Sequence, residues 1–263
     1  MKTRILSGLI MLPLLVVILL GDYVLYAACF AIGIVGVYEF YKGFHAINIK
    51  PCYPIAIASA IGLYVIGLIT DGNEWYMLWL FLTVLACLLY LFKIEERKLE
   101  DAMATLIGIL YVVFFSYHVT MVDRTGDTGI LVWLVIFGAF GTDVMAYFTG
   151  VALGKHKLCP KISPKKTIEG SIGGIIGSII VCGLFGWFFA NEFFIHCIII
   201  GGLCGVVSQF GDLTASIFKR KMGIKDYGNL IPGHGGILDR FDSVLFTAPL
   251  VYYYIILIIN KGA

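Results

Sequence analysis

The sequence predicts an all-α, polytopic membrane protein with about nine transmembrane helices. Of the 263 residues, 60% are hydrophobic and only 14% are charged, and the mean hydropathy is +0.94. The charges fall between apolar runs of roughly 17 to 23 residues, which is the length that a helix needs to cross a bilayer. The alternating ten-residue strands of an outer-membrane barrel are absent from the sequence, so the helical class is favoured.

The predicted spans follow one another with short connections. Only Gly21 and Asp22 separate the first two spans, and these residue types predict a tight turn. We expect the first span to remain uncleaved, because no A-x-A cleavage site follows its apolar core. The spans are placed at residues 5–21, 23–40, 53–70, 76–92, 103–122, 130–153, 172–190, 193–215 and 238–259.

The basic residues predict which end of each span faces the cytoplasm, because cytoplasmic loops carry an excess of Lys and Arg. If the N-terminus is inside, only Arg124 and Lys261 of the 19 basic residues lie at external ends. The predicted topology is therefore N-inside and C-outside, for a multi-pass protein of the cell membrane. The same rule accounts for the net charge of +2, so no nucleic-acid partner is expected.

The polar residues divide the chain into two regions. Residues 1–128 are apolar spans with short loops, and we expect them to form a transmembrane scaffold and the surface of a homodimer. Residues 129–263 hold nearly every polar group within or beside a span, together with the cytoplasmic loops 154–171 and 219–237. The chemistry is therefore expected in the C-terminal region, on the cytoplasmic side.

Three aspartates are predicted to reach the same depth at the cytoplasmic boundary. Asp212 lies about 28 Å along its helix from Phe193, and Ser216 follows one turn later on the same face. Asp239 and Asp242 begin the last span on one face. Carboxylates brought together repel one another and resist desolvation, so we expect a cation among these three, and Mg²⁺ prefers such oxygen ligands. The alternative is that each aspartate pairs with a nearby Lys or Arg.

The loop before the last span has the composition of an anion-binding turn. The run Pro232-Gly233-His234-Gly235-Gly236 frees backbone N–H groups beside a helix N-terminus, where the helix dipole favours phosphate. His234 either donates to a phosphate or caps the loop. The basic residues near this loop that can neutralise phosphates are Lys219, Arg220, Lys225 and Arg240.

The other cytoplasmic loop, KHKLCPKISPKKTIEGSIGG, carries hydroxyl and acidic groups as well as lysines, just before a glycine-rich span. We interpret Ser163 as the cap of a helix with Pro164 in its first turn. A plain positive-inside loop explains the lysines but not the other residues, so we assign a ligand-binding role to this loop. Its candidate residues are Ser163, Lys165, Lys166, Thr167 and Glu169.

Asp143 is a separate candidate inside the sixth predicted span. An ionisable residue within a span predicts a function by default. The alternative is an aspartate that holds helices together by pairing with a cation or with the Tyr147 hydroxyl.

Residues 216–242, SIFKRKMGIKDYGNLIPGHGGILDRFD, resemble the signature of the phosphatidate cytidylyltransferases, also called CDP-diacylglycerol synthases. The stretch SPKKTIEG and residues 143–154 are similar to other segments of that family, although Ile168 stands where Trp or Val is more usual. The resemblance covers roughly residues 138–245, and the first hundred residues resemble the family only in hydropathy.

This resemblance implies an enzyme that converts CTP and phosphatidate to CDP-diacylglycerol and pyrophosphate with Mg²⁺, and a second cation is an alternative. Asp212, Asp239 and Asp242 would bind the metal, with Arg240 beside them in the catalytic set. Which loop binds which substrate stays open. The substrate-binding residues that the resemblance and the loops suggest are Asp143, Ser163, Lys165, Lys166, Thr167, Glu169, Ser216, Lys219, Arg220, Lys225, Asp226, His234, Gly235 and Gly236.

Two other functions are alternatives. A CTP-dependent kinase of polyprenol or phytol would share the nucleotide and the membrane setting. An ion-coupled transporter that uses Asp143 and Asp212 predicts ionisable groups near the membrane midplane and internal repeats, whereas here the charges crowd at one face. The D-G-x-x-A-R…G-x-x-x-D-x-x-x-D pattern of the CDP-alcohol phosphotransferases is absent from the sequence.

Overall fold

The computed structural model describes residues 15–70, 72–230 and 235–262, and these residues form a bundle of apolar helices. Seven of the described helices are long and apolar enough to cross a membrane, and an eighth, α2, is apolar but shorter. In chain order they are α1 (Asp22–His45), α2 (Tyr53–Ile69), α3 (Asn73–Phe92), α4 (Leu99–Asp123), α5 (Gly126–Leu153), α6 (Ile168–Phe189), α7 (Asn191–Lys221) and α8 (Leu238–Ile259).

Each predicted span from the second to the ninth corresponds to one of these helices, which confirms the all-α polytopic class. The first predicted span, residues 5–21, lies mostly outside the described residues, and residues 15–20 are helical. Gly21 then has a φ of 56° and Asp22 a φ of 43°, so the chain turns sharply there, as predicted. The total of nine spans and the N-inside orientation stay predictions.

Glycines let the helices of the C-terminal half pack closely. A Cβ on Gly205 of α7 would lie 2.8 Å from the Cα of Ile175 in α6, and one on Gly201 would lie 2.9 Å from the carbonyl oxygen of Ser178. Small residues of this kind allow close contact between membrane helices. Helix α8 packs against α4, α5 and α7, so the polar ends of α5, α7 and α8 meet at one end of the bundle.

A short β-hairpin joins α5 to α6. Its strands are β1 (Lys157–Cys159) and β2 (Ser163–Thr167), and they pair in an antiparallel arrangement. The hairpin therefore occupies most of the loop 154–171, and it places the lysines of β2 beside the end of the bundle.

The predicted helix start in this loop is wrong. Ser163 and Pro164 lie in the extended strand β2 rather than in a first helical turn. Helix α6 begins at Ile168, and its N-cap is Thr167, whose hydroxyl accepts the Gly170 N–H at 3.1 Å. Pairing with β1 keeps the chain extended as far as Thr167, which delays the helix.

Helix α4 contains a π-helical segment, Ile109–Phe114, between two α-helical parts. Such segments are uncommon, and they often occur near functional sites. The segment packs against α1 and α2, so it lies inside the bundle.

Candidate active site

A polar pocket opens where α5, the β-hairpin, α6, α7 and α8 meet. Its volume is about 570 Å³, which lies in the range for small-molecule and cofactor sites. Most of the charged residues predicted from the sequence lie on the wall of this pocket. The polar residues of the wall include Asp143, Lys157, Lys165, Lys166, Thr167, Ser171, Gln209, Asp212, Asp239, Arg240 and Asp242.

Three carboxylates from three helices line this pocket together. Asp242 of α8 lies within electrostatic range of both Asp212 of α7 and Asp143 of α5, and the last two also act on each other. Ser243 Oγ donates to Asp143 Oδ2 at 3.2 Å, and Lys166 Nζ forms an ion pair with Asp212. The structure thus brings Asp212 and Asp242 together, as predicted, and adds Asp143, which the sequence left as a separate candidate.

Asp239 lines the same pocket, but other groups of the protein already bind its carboxylate. Its Oδ1 accepts from Lys219 Nζ at 2.7 Å, and its Oδ2 accepts the backbone N–H groups of Tyr227 at 2.8 Å and Gly236 at 3.0 Å. The adjacent Gly235 has a φ of 85°, which favours glycine in this turn. Asp239 lies in the first turn of α8. Its carboxylate therefore connects this turn to α7, through Lys219, and to the loop before α8, through Tyr227 and Gly236.

The described residues contain no group of three or more His, Cys, Asp or Glu side chains that could hold a metal ion as they stand. The chemistry of the carboxylate set still suits a hard cation, because Asp143, Asp212 and Asp242 offer oxygen ligands and repel one another when ionised. Of the three predicted ligands, Asp212 and Asp242 fit this role. Asp239 fits it less well, because both of its oxygens accept hydrogen bonds.

Glu39 of α1 is a site residue that the sequence analysis missed. It is buried, its Oε1 accepts the Ile237 N–H at 3.1 Å, and its Oε2 accepts the Leu238 N–H at 2.9 Å. These N–H groups lie at the start of α8 and have no partner within the helix, so Glu39 acts as a helix cap from a distant part of the chain. The sequence did offer one signal, which was an ionisable residue inside an apolar span.

Tyr227 anchors the loop between α7 and α8. Its hydroxyl donates to the Ala215 carbonyl oxygen at 3.1 Å, and Lys219 Nζ lies 5.3 Å from the centre of its ring. Burial, followed by the nearby Tyr111 hydroxyl, raises the pKa of Tyr227 well above its ordinary value. The phenol therefore stays protonated and remains a hydrogen-bond donor.

Comparison with known proteins decides the family. Residues 2–258 match the model of the cytidylyltransferase family. The chain belongs to this family. It is 34% identical to a phosphatidate cytidylyltransferase from Synechocystis sp., over 97% of each chain, and 33% identical to one from Bacillus subtilis, over 98% of each chain. A phosphatidate cytidylyltransferase from Staphylococcus epidermidis is 35% identical over 95% of this chain and 97% of its own.

The family match confirms the resemblance that residues 216–242 carry, and it is wider than the sequence analysis predicts. The sequence motifs limit the resemblance to roughly residues 138–245, whereas the match begins at residue 2. The N-terminal helices, with Glu39, therefore belong to the cytidylyltransferase region.

The basic residues of this cytidylyltransferase site differ in what they contact. Lys165, Lys166 and Arg240 line the pocket. Arg240 Nε is buried and has no hydrogen-bond partner among the described residues. Lys219 instead belongs to the framework of the site, because its side chain is only 13% exposed and binds Asp239.

Two residues predicted to bind substrate make contacts that hold the β-hairpin in place, and their binding of substrate stays a prediction. Glu169 Oε1 lies 2.6 Å from His156 Nδ1, and Glu169 Oε2 accepts the Lys155 N–H at 3.1 Å. Arg220 Nε donates to the Ile162 carbonyl oxygen at 3.3 Å. Both residues fix the hairpin relative to α6 and α7, a role that the sequence did not indicate.

The remaining predicted residues lie at the edge of the site or beyond it. Within the described part of the chain, Ser163, Ser216, Lys225 and Asp226 are not among the residues that line the pocket. Lys225 and Asp226 are exposed on the loop before α8. His234 lies outside the described residues, so its role stays a prediction.

Proposed function

We propose that this chain transfers CMP from CTP to phosphatidate, giving CDP-diacylglycerol and pyrophosphate in membrane phospholipid biosynthesis. The observation that carries the proposal is a pocket of carboxylates and lysines at the ends of apolar helices, in a chain of the cytidylyltransferase family. Relatives that match over almost their whole length are named phosphatidate cytidylyltransferase. A pocket at the ends of membrane helices suits a reaction between a lipid headgroup and a water-soluble nucleotide.

The reaction depends more on alignment than on acid–base chemistry. A phosphate oxygen of phosphatidate attacks the α-phosphorus of CTP, a new P–O bond forms, and the bond to the bridging oxygen breaks as pyrophosphate leaves. Because the attacking oxygen is already nucleophilic, the protein has to position both phosphates and stabilise their charge. Lys165, Lys166 and Arg240 supply positive charge on the pocket wall.

We propose Mg²⁺ as the cofactor, held by Asp212 and Asp242 with Asp143 beside them. When bound, the ion would neutralise charge on the triphosphate and favour pyrophosphate as the leaving group. The support is the presence of these carboxylates, from α5, α7 and α8, in one pocket. Asp239 stays a predicted ligand and a second cation stays an alternative. In the present arrangement Asp239 holds the loop before α8.

We also propose that the pocket faces the cytoplasm, in a multi-pass protein of the cell membrane. The support is the distribution of Lys and Arg, because residues 154–171 and 219–237 together hold nine of the 19 basic residues of the chain. A homodimer through the apolar surface of residues 1–128 stays a prediction.

The test uses the purified protein in detergent with phosphatidate, Mg²⁺ and CTP that is labelled at the α-phosphate. We expect label in a lipid product with the wild-type protein, and a rate lower by about 100-fold or more with Asp212→Asn. The matched control is Asp127→Asn, because Asp127 is exposed in the first turn of α5, at the other end from Asp143. Its rate should equal that of the wild type.

A second arm uses CTP labelled at the γ-phosphate, with a polyprenol as the acceptor. Label that reaches lipid only from the γ-position would identify a kinase and overturn the proposal. No transfer from either position, by protein that is shown to be folded, would overturn the assignment as an enzyme.

A further inference from the structure

Tyr111 of α4 is a buried polar residue to which the proposed function assigns no role. Its side chain is 6% exposed, and its hydroxyl has no hydrogen-bond partner among the described residues. A buried hydroxyl without a partner is unfavourable, because it has lost its hydrogen bonds to water. Such groups are uncommon in folded proteins, and each of them needs a physical explanation.

Aromatic neighbours fix the position of the Tyr111 ring. The ring centres of Phe40 in α1 and Phe218 in α7 both lie 5.6 Å from its own, and that of Phe246 in α8 lies 6.1 Å away. Because these neighbours come from three helices, they leave the ring little freedom to turn its hydroxyl elsewhere. Packing, rather than a hydrogen bond, therefore sets the direction of this hydroxyl.

The face of α8 that contacts the Tyr111 ring also carries Asp242, because Phe246 follows Asp242 by about one helical turn. The charged groups that act on the Tyr111 hydroxyl are Asp242 first and Asp212 second. Tyr227 is also close, but its own hydroxyl donates to the carbonyl oxygen of Ala215. The strong acceptors on this side of Tyr111 are therefore the oxygens of the two carboxylates.

The backbone of α4 gives a second, independent observation. Tyr111 lies within the π-helical segment Ile109–Phe114. A π-helical turn is wider than an α-helical one, so it changes the face on which the following side chains lie. The irregular turn of α4 thus occurs at the residue that packs against the Asp242 face of α8.

We propose that Tyr111 is a positioning residue whose hydroxyl donates a hydrogen bond to the Asp212–Asp242 carboxylate pair when the site binds its cation. It acts from behind the pocket, because it is not among the described residues that line the pocket wall. This inference rests on the proposed function for its catalytic consequence, although binding of a cation can be measured separately. The proposal also means that α4, a helix of the N-terminal region, helps to position the carboxylates of the site.

The test compares Tyr111→Phe with Tyr64→Phe, since both variants lose only a buried hydroxyl. Tyr64 is 4% exposed, and its hydroxyl also lacks a partner among the described residues. It lies away from the carboxylates, among Tyr26 and Tyr117. The first readout is binding of Mn²⁺ without nucleotide, followed by electron paramagnetic resonance. The second is the Mg²⁺ concentration that gives half-maximal transfer, with the KM for phosphatidate measured alongside.

We expect Tyr111→Phe to raise the dissociation constant for Mn²⁺ by about tenfold, as the loss of an outer-shell partner of a metal ligand typically does. The half-maximal Mg²⁺ concentration should rise with it, while the KM for phosphatidate changes by less than about twofold. Tyr64→Phe should leave all three values as in the wild type. Melting temperatures verify that both variants are folded.

The outcomes separate this inference from the proposed function. Unchanged binding of Mn²⁺ by folded Tyr111→Phe overturns the role of Tyr111, and so does a wild-type protein that binds no Mn²⁺. A wild type that binds Mn²⁺ but transfers no CMP overturns the proposed function, and the comparison of the two variants still decides the role of Tyr111.

Discussion

The bundle has a polar cluster at each end, and the two clusters differ in how their groups are paired. At one end, Asp123 of α4 accepts the Asp22 N–H of α1 at 2.9 Å. Next to it, the Arg124 guanidinium donates to the Gly67 carbonyl oxygen and lies over the Tyr26 ring, 4.3 Å from its centre. These pairs join the ends of α1, α2 and α4.

At the other end, three like charges are gathered around one pocket. Asp143, Asp212 and Asp242 line this pocket, where Lys166 pairs with Asp212 and Ser243 donates hydrogen bonds to the other two carboxylates. The Tyr111 hydroxyl beside this cluster has no partner in the described part of the chain. Polar pairs that join helix ends stabilise the fold, whereas several like charges gathered around a pocket indicate a site for a ligand.

The largest expected effect comes from exchanging one carboxylate for an amide at each end. Asp242→Asn should lower the rate of CMP transfer by about 100-fold or more, because it removes a carboxylate that we propose as a ligand of the cation. Its melting temperature should stay equal or rise, because repulsion among the carboxylates decreases. Asp123→Asn should show the opposite pattern, with a lower melting temperature and transfer within about twofold of the wild type. Parallel transfer assays and thermal melts check both variants, and a larger loss of transfer in Asp123→Asn would reverse the comparison.

A smaller effect is expected at Glu39, which supports the active end from α1. Glu39→Gln keeps the shape of the side chain but replaces one acceptor oxygen with an amide donor that faces an N–H group at the start of α8. We expect transfer to fall by about tenfold, because one hydrogen bond to a charged group is lost. The control is Glu74→Gln, an exposed residue in the first turn of α3. Equal rates for the two variants would show that Glu39 does not position the site.

The smallest expected effect concerns the N-cap of α6. Thr167→Ala removes the hydroxyl that accepts the Gly170 N–H, and it should lower stability by about 1 kcal/mol. Transfer should fall only a few-fold, because the lysines of β2 would shift relative to the pocket. Thr167→Ser keeps the acceptor and should restore both values. Chemical unfolding and the transfer assay measure the two quantities, and an alanine variant as stable as the wild type would contradict the cap.

Much of the fold and part of the site could be predicted from the sequence. Apolar runs predicted α1 to α8, because the length of a membrane helix is set by the bilayer. Counting residues along α7 and α8 placed Asp212 and Asp242 at one depth, and the structure brings them into one pocket. Both predictions use only distances along a helix, which can be calculated by counting residues in the sequence.

The rest depended on contacts between distant parts of the chain. Glu39 reaches the start of α8 across 199 residues, to Leu238, and the sequence gives no measure of such a contact. Ser163 is interpreted as a helix cap from its position before Pro164, whereas the structure pairs β2 with β1 in a local hairpin that the composition of this polar segment does not reveal. Asp239 was grouped with the metal ligands, but the folded loop before α8 gives both of its oxygens hydrogen-bond partners.

The most direct test of the account maps where the nucleotide binds. A photoreactive CTP analogue is cross-linked to the purified protein with Mg²⁺ present, with and without excess CTP, and the labelled peptides are identified by mass spectrometry. The account predicts competed cross-links in the peptides that contain residues 143–167 and 209–242. Competed cross-links confined to the opposite end, around Tyr26 and Arg124, would contradict the claim that the gathered carboxylates mark the active end.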